Sequence, residues 1–432
     1  MSAPTARSVA ADVVRRVVDE GAYSNLALSR TLARAGLSER DGALASELAY
    51  GTLRRMIPID RALSPLLDRP LETAPKPARA LLRLGAYQLL YTRIPAHAAV
   101  SETVRLAAPR HRGFVNAVLR RLSVRGARMP TGDSDEAVSI RTGLSGWAVR
   151  ELRRCLGDEV EEAAAALAEP ARLTLRTNTC RTSERELRAA LEAAGVDVEA
   201  GTLHPGSLLV ASGSPARLPG YADGWFAVQD QASSFVVRAL DPRPGERVLD
   251  ACAGPGGKAG HAACLVSPGG RVVAADVSTA RASLVRQTLR RLGLEGQVVV
   301  QDSCRPGVRG PFDRVLVDAP CTGIGSARRR PELLWRASRE ELPGLARLQV
   351  RIVSATADLL RPGGRLVFSV CTFPRAETDA ACDAIARRRP DLEPEEVPGP
   401  DGTASRIRLW PHRHGCDAMF IAAFRRREEG GR

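Results

Sequence analysis

A glycine-rich turn and two cysteines are the residues whose types and spacing could do chemistry. The turn lies in ERVLDACAGPGGK, residues 246–258, where an apolar run ends at Asp250 and glycines follow. This order is typical of a buried parallel strand that passes into a helix. Glycines let a ligand approach the backbone, and a helix N-terminus offers free N–H groups. We therefore predict a small-molecule cradle formed by Cys252, Ala253, Gly254, Pro255, Gly256, Gly257 and Lys258.

The residues that the turn lacks narrow the type of ligand. A phosphate-binding P-loop needs GxxxxGK followed by Ser or Thr, but Cys252 stands at the first glycine position and Ala259 follows Lys258. The GxGxxG dinucleotide fingerprint is also absent. An adenosyl ligand without a polyphosphate remains, which favours S-adenosylmethionine. The alternative is a plain tight turn between a strand and a helix.

The composition indicates a nucleic-acid partner. The 432 residues carry a formal net charge of +14 and a pI of about 10.1. All the basic side chains are arginines except Lys76 and Lys258. Arginine binds phosphate bidentately and stacks on bases. A genome biased towards arginine codons is the alternative, but such a bias would not change the net charge.

The cysteine count and the apolar runs exclude several classes of protein. Nine cysteines without a CxxC pair argue against a disulfide framework and against a structural zinc site, so we expect no metal. The N-terminal residues lack the apolar core of a signal peptide, and no apolar run approaches membrane-spanning length. We expect a cytoplasmic protein with no membrane partner.

The patterning predicts three domains. Helical periodicity over residues 5–125 predicts an all-helical domain at 1–130, whose basic cluster between Arg105 and Arg125 could bind RNA phosphates. A solvated helix surface is the alternative for that cluster. A mixed pattern at 138–240 predicts a small α+β subdomain.

The third predicted domain, at 241–427, belongs to the α/β class. Regular strand–helix alternation predicts a Rossmann-like sheet that is mostly parallel, with helices on both faces and an antiparallel last strand. The predicted strands include 271–276, 297–302, 312–318 and 364–370, and 406–410 with 419–424 form the closing pair. Ligands of such sheets lie at the carboxyl ends of the strands.

Polar residues mark those strand ends. Asp276 suits a ribose hydroxyl pair and Asp302 suits an adenine amino group, although a single acid there is often only a helix cap. Asp318 and Cys321 follow one strand and Cys371 follows the next. The two cysteines should therefore lie side by side near the ligand. Buried cysteines are commonly inert, but two at this edge favour a catalytic role.

Several motifs together resemble one family. DACAGPGGK, DAPCTGIG and FSVCTF resemble the cofactor loop, the proline–cysteine motif and the second cysteine motif of the RNA cytosine-C5 methyltransferases of the Nol/Nop/Sun group. GWFAVQDQASS, residues 224–234, resembles the segment before their sheet. The helical N-terminal part is similar to NusB, so nearly the whole chain resembles the bacterial RsmB (Sun) enzymes. Val370 departs from the family, which usually has Thr before the second cysteine.

The resemblance implies a reaction and its residues. It implies S-adenosylmethionine-dependent methylation of C5 of a cytosine in 16S ribosomal RNA, cytosine-967, by a monomer that acts on an unassembled or partly assembled small subunit. It assigns the attack on C6 to Cys371, product release to Cys321 and the base edge to Asp318. Swapped cysteine roles are the alternative, because cytosine-C5 enzymes that act on DNA attack from the proline–cysteine motif.

Other functions stay open beside this one. Methyltransferases of exocyclic nitrogens carry an aromatic residue after their Asn/Asp-Pro-Pro motif, which DAPC lacks. A NusB-like RNA-binding factor with an inactive methyltransferase domain is a second alternative, against which the intact glycines, acids and cysteines argue. A methyltransferase of another RNA is a third.

Overall fold

The computed structural model describes residues 3–211 and 213–428, and the chain divides into two compact units. The first unit comprises the residues up to Glu169 together with 327–337, and the second comprises 170–326 and the residues from Ser338 onwards. The three-domain prediction differs from this division, because residues 138–169 fall in the first unit. The helix at Asp135–Thr142 packs against the helix that begins at Met56, and the next two helices pack against the Asp135–Thr142 helix.

The first unit is helical in the part that the structure describes. Its helices before residue 170 are α1 (Ala6–Asp19), α2 (Ser24–Ala35), α3 (Glu39–Arg54), α4 (Met56–Leu63), α5 (Lys76–Tyr91), α6 (Ala96–Leu106), α7 (Pro109–Arg125), α8 (Asp135–Thr142), α9 (Gly146–Leu156) and α10 (Val160–Leu167). Apolar side chains spaced three or four residues apart give each long helix one buried face. Val13, Val17, Leu48 and Leu82 are fully buried in the shared core.

Residues 327–337 belong to this helical unit although they are distant in sequence. The indole Nε1 of Trp335 donates a 2.9 Å hydrogen bond to the carbonyl oxygen of Leu53. Glu332 is fully buried and accepts a 3.3 Å bond from the backbone N–H of Ser24. These bonds satisfy backbone groups of the helical unit, so the segment is a structural part of it.

The second unit contains the strands of the chain. They are β1 (Leu173–Thr177), β2 (Val198–Ala200), β3 (Ser207–Val210), β4 (Phe226–Val228), β5 (Arg247–Asp250), β6 (Arg271–Asp276), β7 (Gln297–Val300), β8 (Phe312–Asp318), β9 (Leu360–Val370), β10 (Leu392–Pro394), β11 (Val397–Gly399), β12 (Gly402–Ala404), β13 (Arg406–Leu409) and β14 (Met419–Arg426). The helices after residue 170 are α11 (Glu184–Ala193), α12 (Gln231–Leu240), α13 (Gly257–Val266), α14 (Thr279–Leu292), α15 (Leu333–Arg336), α16 (Leu342–Ala357), α17 (Asp379–Arg388) and α18 (Pro411–His414). Of these, α15 lies in the first unit.

The large sheet confirms the predicted fold class. Its strand order is β10-β14-β9-β8-β5-β6-β7, and β13 pairs with β14. The pairs from β9 to β7 are parallel, whereas β14 runs antiparallel to β9. A separate antiparallel sheet of order β2-β3-β1-β4 forms the small α+β part. Among the residues described, no helix has the length and apolar character needed to cross a membrane.

One predicted strand is too long, and one helix is absent from the sequence prediction. The strand predicted at 297–302 ends at Val300, because the Asp302 carboxylate accepts a 2.9 Å bond from the backbone N–H of Cys304 and turns the chain. Helix α12 is not predicted from the sequence; its N-cap is Asp230, whose side chain accepts from the backbone N–H of Ala232. Asp302 therefore lies beyond the strand end.

The packing of α3 on α5 makes a prediction about stability. A Cβ added at Gly51 would lie 2.0 Å from Cζ of Tyr87, whose hydroxyl is held by Glu47 at 2.5 Å. We expect Gly51→Ala to lower the free energy of unfolding by about 1–3 kcal/mol, because Tyr87 must move. Gly113→Ala in α7 is the matched control, since nothing lies within 4 Å of its Cβ. Better helix propensity should raise stability there by about 1 kcal/mol. Equal changes in the thermal unfolding temperature of the two variants would contradict the close contact between Gly51 and Tyr87.

Candidate active site

Four neighbouring parallel strands bring their carboxyl ends to one edge of the large sheet. In the order β9, β8, β5, β6 they end at Val370, Asp318, Asp250 and Asp276. Cys371 directly follows the first of these ends and Cys321 lies three residues after the second. The predicted meeting of acids and cysteines at one edge is therefore present.

The glycine turn packs closely against Asp276. The backbone N–H of Gly254 donates a 3.1 Å bond to Oδ2 of Asp276, and a Cβ at Gly254 would lie 2.6 Å from that oxygen. Asp276 is buried and also accepts from the backbone N–H of Ser278 and from Nε of Arg281. Only a glycine fits at position 254 while Asp276 keeps this place.

Gly256 allows the turn to pack closely on a neighbouring helix, while its predicted place in the cofactor cradle stays a prediction. Its φ of +109° is in the region that favours glycine, and it caps the N-terminus of α13. A Cβ there would meet Cα of Val285 at 3.0 Å and Cβ of Thr288 at 3.1 Å, both on α14. The lack of a side chain at Gly256 thus lets the turn pack on α14.

Asp250 is a candidate site residue that the sequence prediction did not include. It is buried, and in the described part of the chain its Oδ2 has no hydrogen-bond partner. Burial raises the pKa of Asp250 to about 7, and the charge of Asp318 adds to the shift. A buried carboxylate oxygen beside the turn could receive a cationic amino group, such as that of S-adenosylmethionine. The sequence feature that could have identified Asp250 is its place as the acid that ends the strand before the glycine turn.

Four further residues were predicted to bind the cofactor, and the structure places three of them in or beside the turn. Cys252 is half-buried beside Asp250, and burial raises its pKa well above the ordinary value, so this thiol is unreactive. Ala253 and Pro255 lie in the turn itself, and the Pro255 carbonyl accepts from the Thr288 hydroxyl. Asp302 is exposed in the turn after β7. A role for Asp302 at adenine stays a prediction.

Lys258 contacts the end of the candidate site where Asp318 lies. Its Nζ lies 2.7 Å from Oδ2 of Asp318 and 3.4 Å from Oγ of Ser233. The hydroxyl of Ser369 donates a 2.8 Å bond to the other oxygen of Asp318. Burial alone would lower the pKa of Lys258, but the Asp318 carboxylate raises it overall. Lys258 is therefore a fixed cation that orients Asp318.

The two cysteine sulfurs face each other. Sγ of Cys321 lies 3.5 Å from Sγ of Cys371, and both residues are half-buried. The hydrogen bond from the Cys321 thiol lowers the pKa of Cys371, against the burial of its sulfur and the charge of Asp318, and Lys258 lowers it further. The same hydrogen bond raises the pKa of Cys321 well above its ordinary value, and burial adds to this. The pair thus contains one thiolate-prone sulfur and one persistent thiol.

The surroundings of Val370 account for a valine where the family usually has Thr. Its side chain is fully buried in an apolar cluster with Phe368 and Phe420, and its backbone pairs with Phe420 on β14. A hydroxyl at this place would need a partner inside that cluster. The valine satisfies this apolar site without a hydroxyl, and Cys371 follows it directly at the end of β9.

The arrangement fits S-adenosylmethionine. The unpartnered oxygen of Asp250, the close approach at Gly254 and the buried carboxylate of Asp276 suit an amino group and a ribose. Within the described residues, no group of three or more His, Cys, Asp or Glu side chains could hold a metal ion.

The contact at Gly254 yields a test of the cradle. Gly254→Ala should weaken S-adenosylmethionine binding by at least about tenfold, since its Cβ displaces the Asp276 carboxylate. Gly307→Ala is the matched control, because the nearest atom to its Cβ lies at an ordinary 3.8 Å. Titration calorimetry measures both, and equal affinities in the two variants would remove Gly254 and Asp276 from the cofactor site.

Comparison with known proteins agrees with this geometry. The family model for 16S rRNA methyltransferase RsmB/F matches residues 237–425, the NusB family model matches 4–124, and the ferredoxin-like domain model of RsmF/B-like methyltransferases matches 144–217. The crystal structure of PH0851 is 23% identical, covers 98% of this chain and 99% of that chain, and gives a TM-score of 0.82, which shows the shared fold.

Two relatives match over nearly their whole length. "Probable ribosomal RNA small subunit methyltransferase B" of Bacillus subtilis is 34% identical over 99% of this chain and 100% of its own. Ribosomal RNA small subunit methyltransferase B of Vibrio cholerae is 34% identical over 96% of both chains. With the domain matches and the two cysteine motifs, this identity shows that the chain belongs to the RsmB/F family of S-adenosylmethionine-dependent RNA methyltransferases.

Proposed function

We propose that the protein transfers a methyl group from S-adenosylmethionine to C5 of a cytosine in 16S ribosomal RNA, with Cys371 forming a covalent bond to C6. The observation that carries this proposal is the sulfur pair at neighbouring strand ends, 3.5 Å apart, whose pKa values are shifted in opposite directions. A methyltransferase that acts on an exocyclic nitrogen needs no such pair.

Cys371 is suited to the first step. C5 of cytosine is a poor nucleophile, but addition of a thiolate to C6 makes C5 enamine-like. The lowered pKa of Cys371 increases the thiolate fraction, and the Lys258 cation favours that charge. S-adenosylmethionine supplies the electrophilic methyl group that C5 then takes.

Asp318 is suited to hold the base. Its carboxylate could hold the base edge by hydrogen bonds from the exocyclic amino group and, once N3 carries a proton during addition, from the N3–H group. Lys258 and Ser369 each contact one oxygen of Asp318 and fix its orientation before any base enters. The target base must be unstacked to reach this edge.

Cys321 is suited to product release. In the release step a solvent water takes the proton from C5, and the electron pair of the C5–H bond forms the C5–C6 double bond. The C6–sulfur bond breaks at the same time, and its electron pair returns to Cys371 as a thiolate. The thiol of Cys321 lies at hydrogen-bond distance from that sulfur, and its raised pKa keeps the proton in place. A hydrogen bond to the departing sulfur stabilises it as a leaving thiolate.

The charge supports RNA as the substrate. The net charge is +14, and α7 exposes Arg110, Arg120, Arg121 and Arg125. Such side chains bind phosphates without reading sequence. The names of the relatives support the small subunit RNA as target. Our proposal includes a monomer that acts in the cytoplasm on an unassembled or partly assembled subunit, with cytosine-967 as the position implied by the resemblance.

The assignment of the cysteines is tested by their alanine variants. Cys371→Ala should lose methylation and form no covalent adduct. Cys321→Ala should attack and transfer the methyl but then stall as a covalent protein–RNA complex, because addition and elimination are separate steps. A denaturing gel after incubation with small subunit RNA and cofactor shows the complex as a slow, protease-sensitive band.

The control is Cys382→Ala, since Cys382 is fully buried on α17, an element that carries neither sulfur of the pair. It should behave as the wild-type protein does. A band from Cys371→Ala and none from Cys321→Ala would reverse the two roles, and intact methylation without a band in both would remove cysteine catalysis.

A further inference from the structure

A threonine follows each of the two cysteines, and the two threonines contact each other. Oγ1 of Thr322 lies 2.7 Å from Oγ1 of Thr372, and both residues are buried. One carboxylate, that of Glu377, joins them. It accepts a 3.0 Å bond from the backbone N–H of Thr322, a 2.6 Å bond from the Thr322 hydroxyl and a 3.3 Å bond from the Thr372 hydroxyl.

The same carboxylate is tied to the residue before Cys321. Nε2 of Gln349, on α16, donates a 3.1 Å bond to Oε1 of Glu377 and a 3.0 Å bond to the carbonyl oxygen of Pro320. The loop of Cys321 is therefore held on both sides of the cysteine. Through the Thr372 hydroxyl, the Glu377 network also links this loop to the loop of Cys371.

Glu377 occupies this place at an energetic cost. It is fully buried, and the side chains of Thr322, Gln349 and Thr372 that bond to it are neutral. Burial raises the pKa of Glu377, while the bonds from these three residues act in the opposite direction. A buried carboxylate without a cation is unfavourable unless several hydrogen bonds satisfy it. An apolar residue at this position would avoid the desolvation of a carboxylate. Packing alone therefore does not account for the hydrogen-bond network of Glu377.

We propose that Glu377 is a positioning residue that fixes the distance between the two catalytic sulfurs by clamping Thr322 and Thr372. Cys321 and Cys371 lie on separate loops after separate strands, so pairing of β8 with β9 alone does not fix their side chains. A sulfur–sulfur hydrogen bond weakens steeply with distance and angle. This inference rests on the proposed function, since the spacing matters for chemistry only if both sulfurs act on one base.

The hydroxyl of Thr322 offers a sharp test. Thr322→Val keeps the shape but removes the hydroxyl bonds to Glu377 and Thr372 and leaves the backbone N–H bond to Glu377, whereas Thr322→Ser keeps the hydroxyl. We expect Thr322→Val to lower kcat by about 10- to 100-fold with little change in KM for RNA, because small misplacements of reacting groups have effects of this size. Thr322→Ser should restore most of the rate. Glu377→Ala should resemble Thr322→Val if it folds.

A thiol-bridging probe measures the spacing without any methyl transfer. Phenylarsine oxide needs two adjacent thiols, so the wild-type protein should bind it at the cysteine pair and Cys321→Ala should not. Mapping by mass spectrometry separates this pair from other thiols. Thr322→Val should bind the arsenical several-fold more weakly than Thr322→Ser.

The variant Glu395→Gln is the control for effects that come from lost stability alone. Glu395 forms a largely buried ion pair, at 2.6 Å, with Arg365, which lies in β9 well before Cys371. That variant should lose stability but keep kcat. Wild-type kcat and arsenical binding in a folded Thr322→Val would overturn the clamp. A wild-type protein that binds the arsenical but gives no methylated RNA would overturn the proposed function. In that case, arsenical binding by Thr322→Val and Thr322→Ser would still test whether Glu377 fixes the sulfur spacing.

Discussion

The contact between the two cysteine sulfurs is the interaction on which the rest of the site depends. At 3.5 Å one thiol can hydrogen-bond the other, so the two chemically identical groups acquire opposite pKa shifts. Lys258 adds to the difference because it lowers the pKa of Cys371. A pair of this kind can add to a base with one sulfur and assist departure with the other.

The fold supplies that contact through strand order. Strands β8 and β9 are adjacent and parallel, so residues after their ends start close together. The neighbouring β5 and β6 place Asp250, Asp276 and the glycine turn beside them. The ion pair of Lys258 with Asp318 then joins the cofactor turn to the cysteine end. A largely buried ion pair contributes little net stability, so its use here is orientation.

The sequence predicts the features that follow from strand periodicity. It does not predict which partner a side chain contacts when the fold offers several. Periodicity and strand ends placed Asp276, Asp318, Cys321 and Cys371 at one edge. Asp302 was also predicted at this edge; it lies two residues after the end of β7, where its carboxylate accepts from the backbone N–H of Cys304, and its role at adenine stays a prediction. Nothing in spacing reveals that Lys258 contacts Asp318 or that Glu377 bonds to both threonines, because these contacts depend on the folded arrangement of separate loops. Residues 327–337 pack with the helical unit for the same reason.

The position of the transferred methyl group tests the central claim most directly. Small subunit RNA would be incubated with the protein and cofactor carrying a labelled methyl group, digested to nucleosides and separated by mass spectrometry. The cysteine pair predicts label in 5-methylcytidine alone, at a cytosine that becomes resistant to bisulfite. Label on the exocyclic nitrogen or on a ribose, with none at C5, would contradict it.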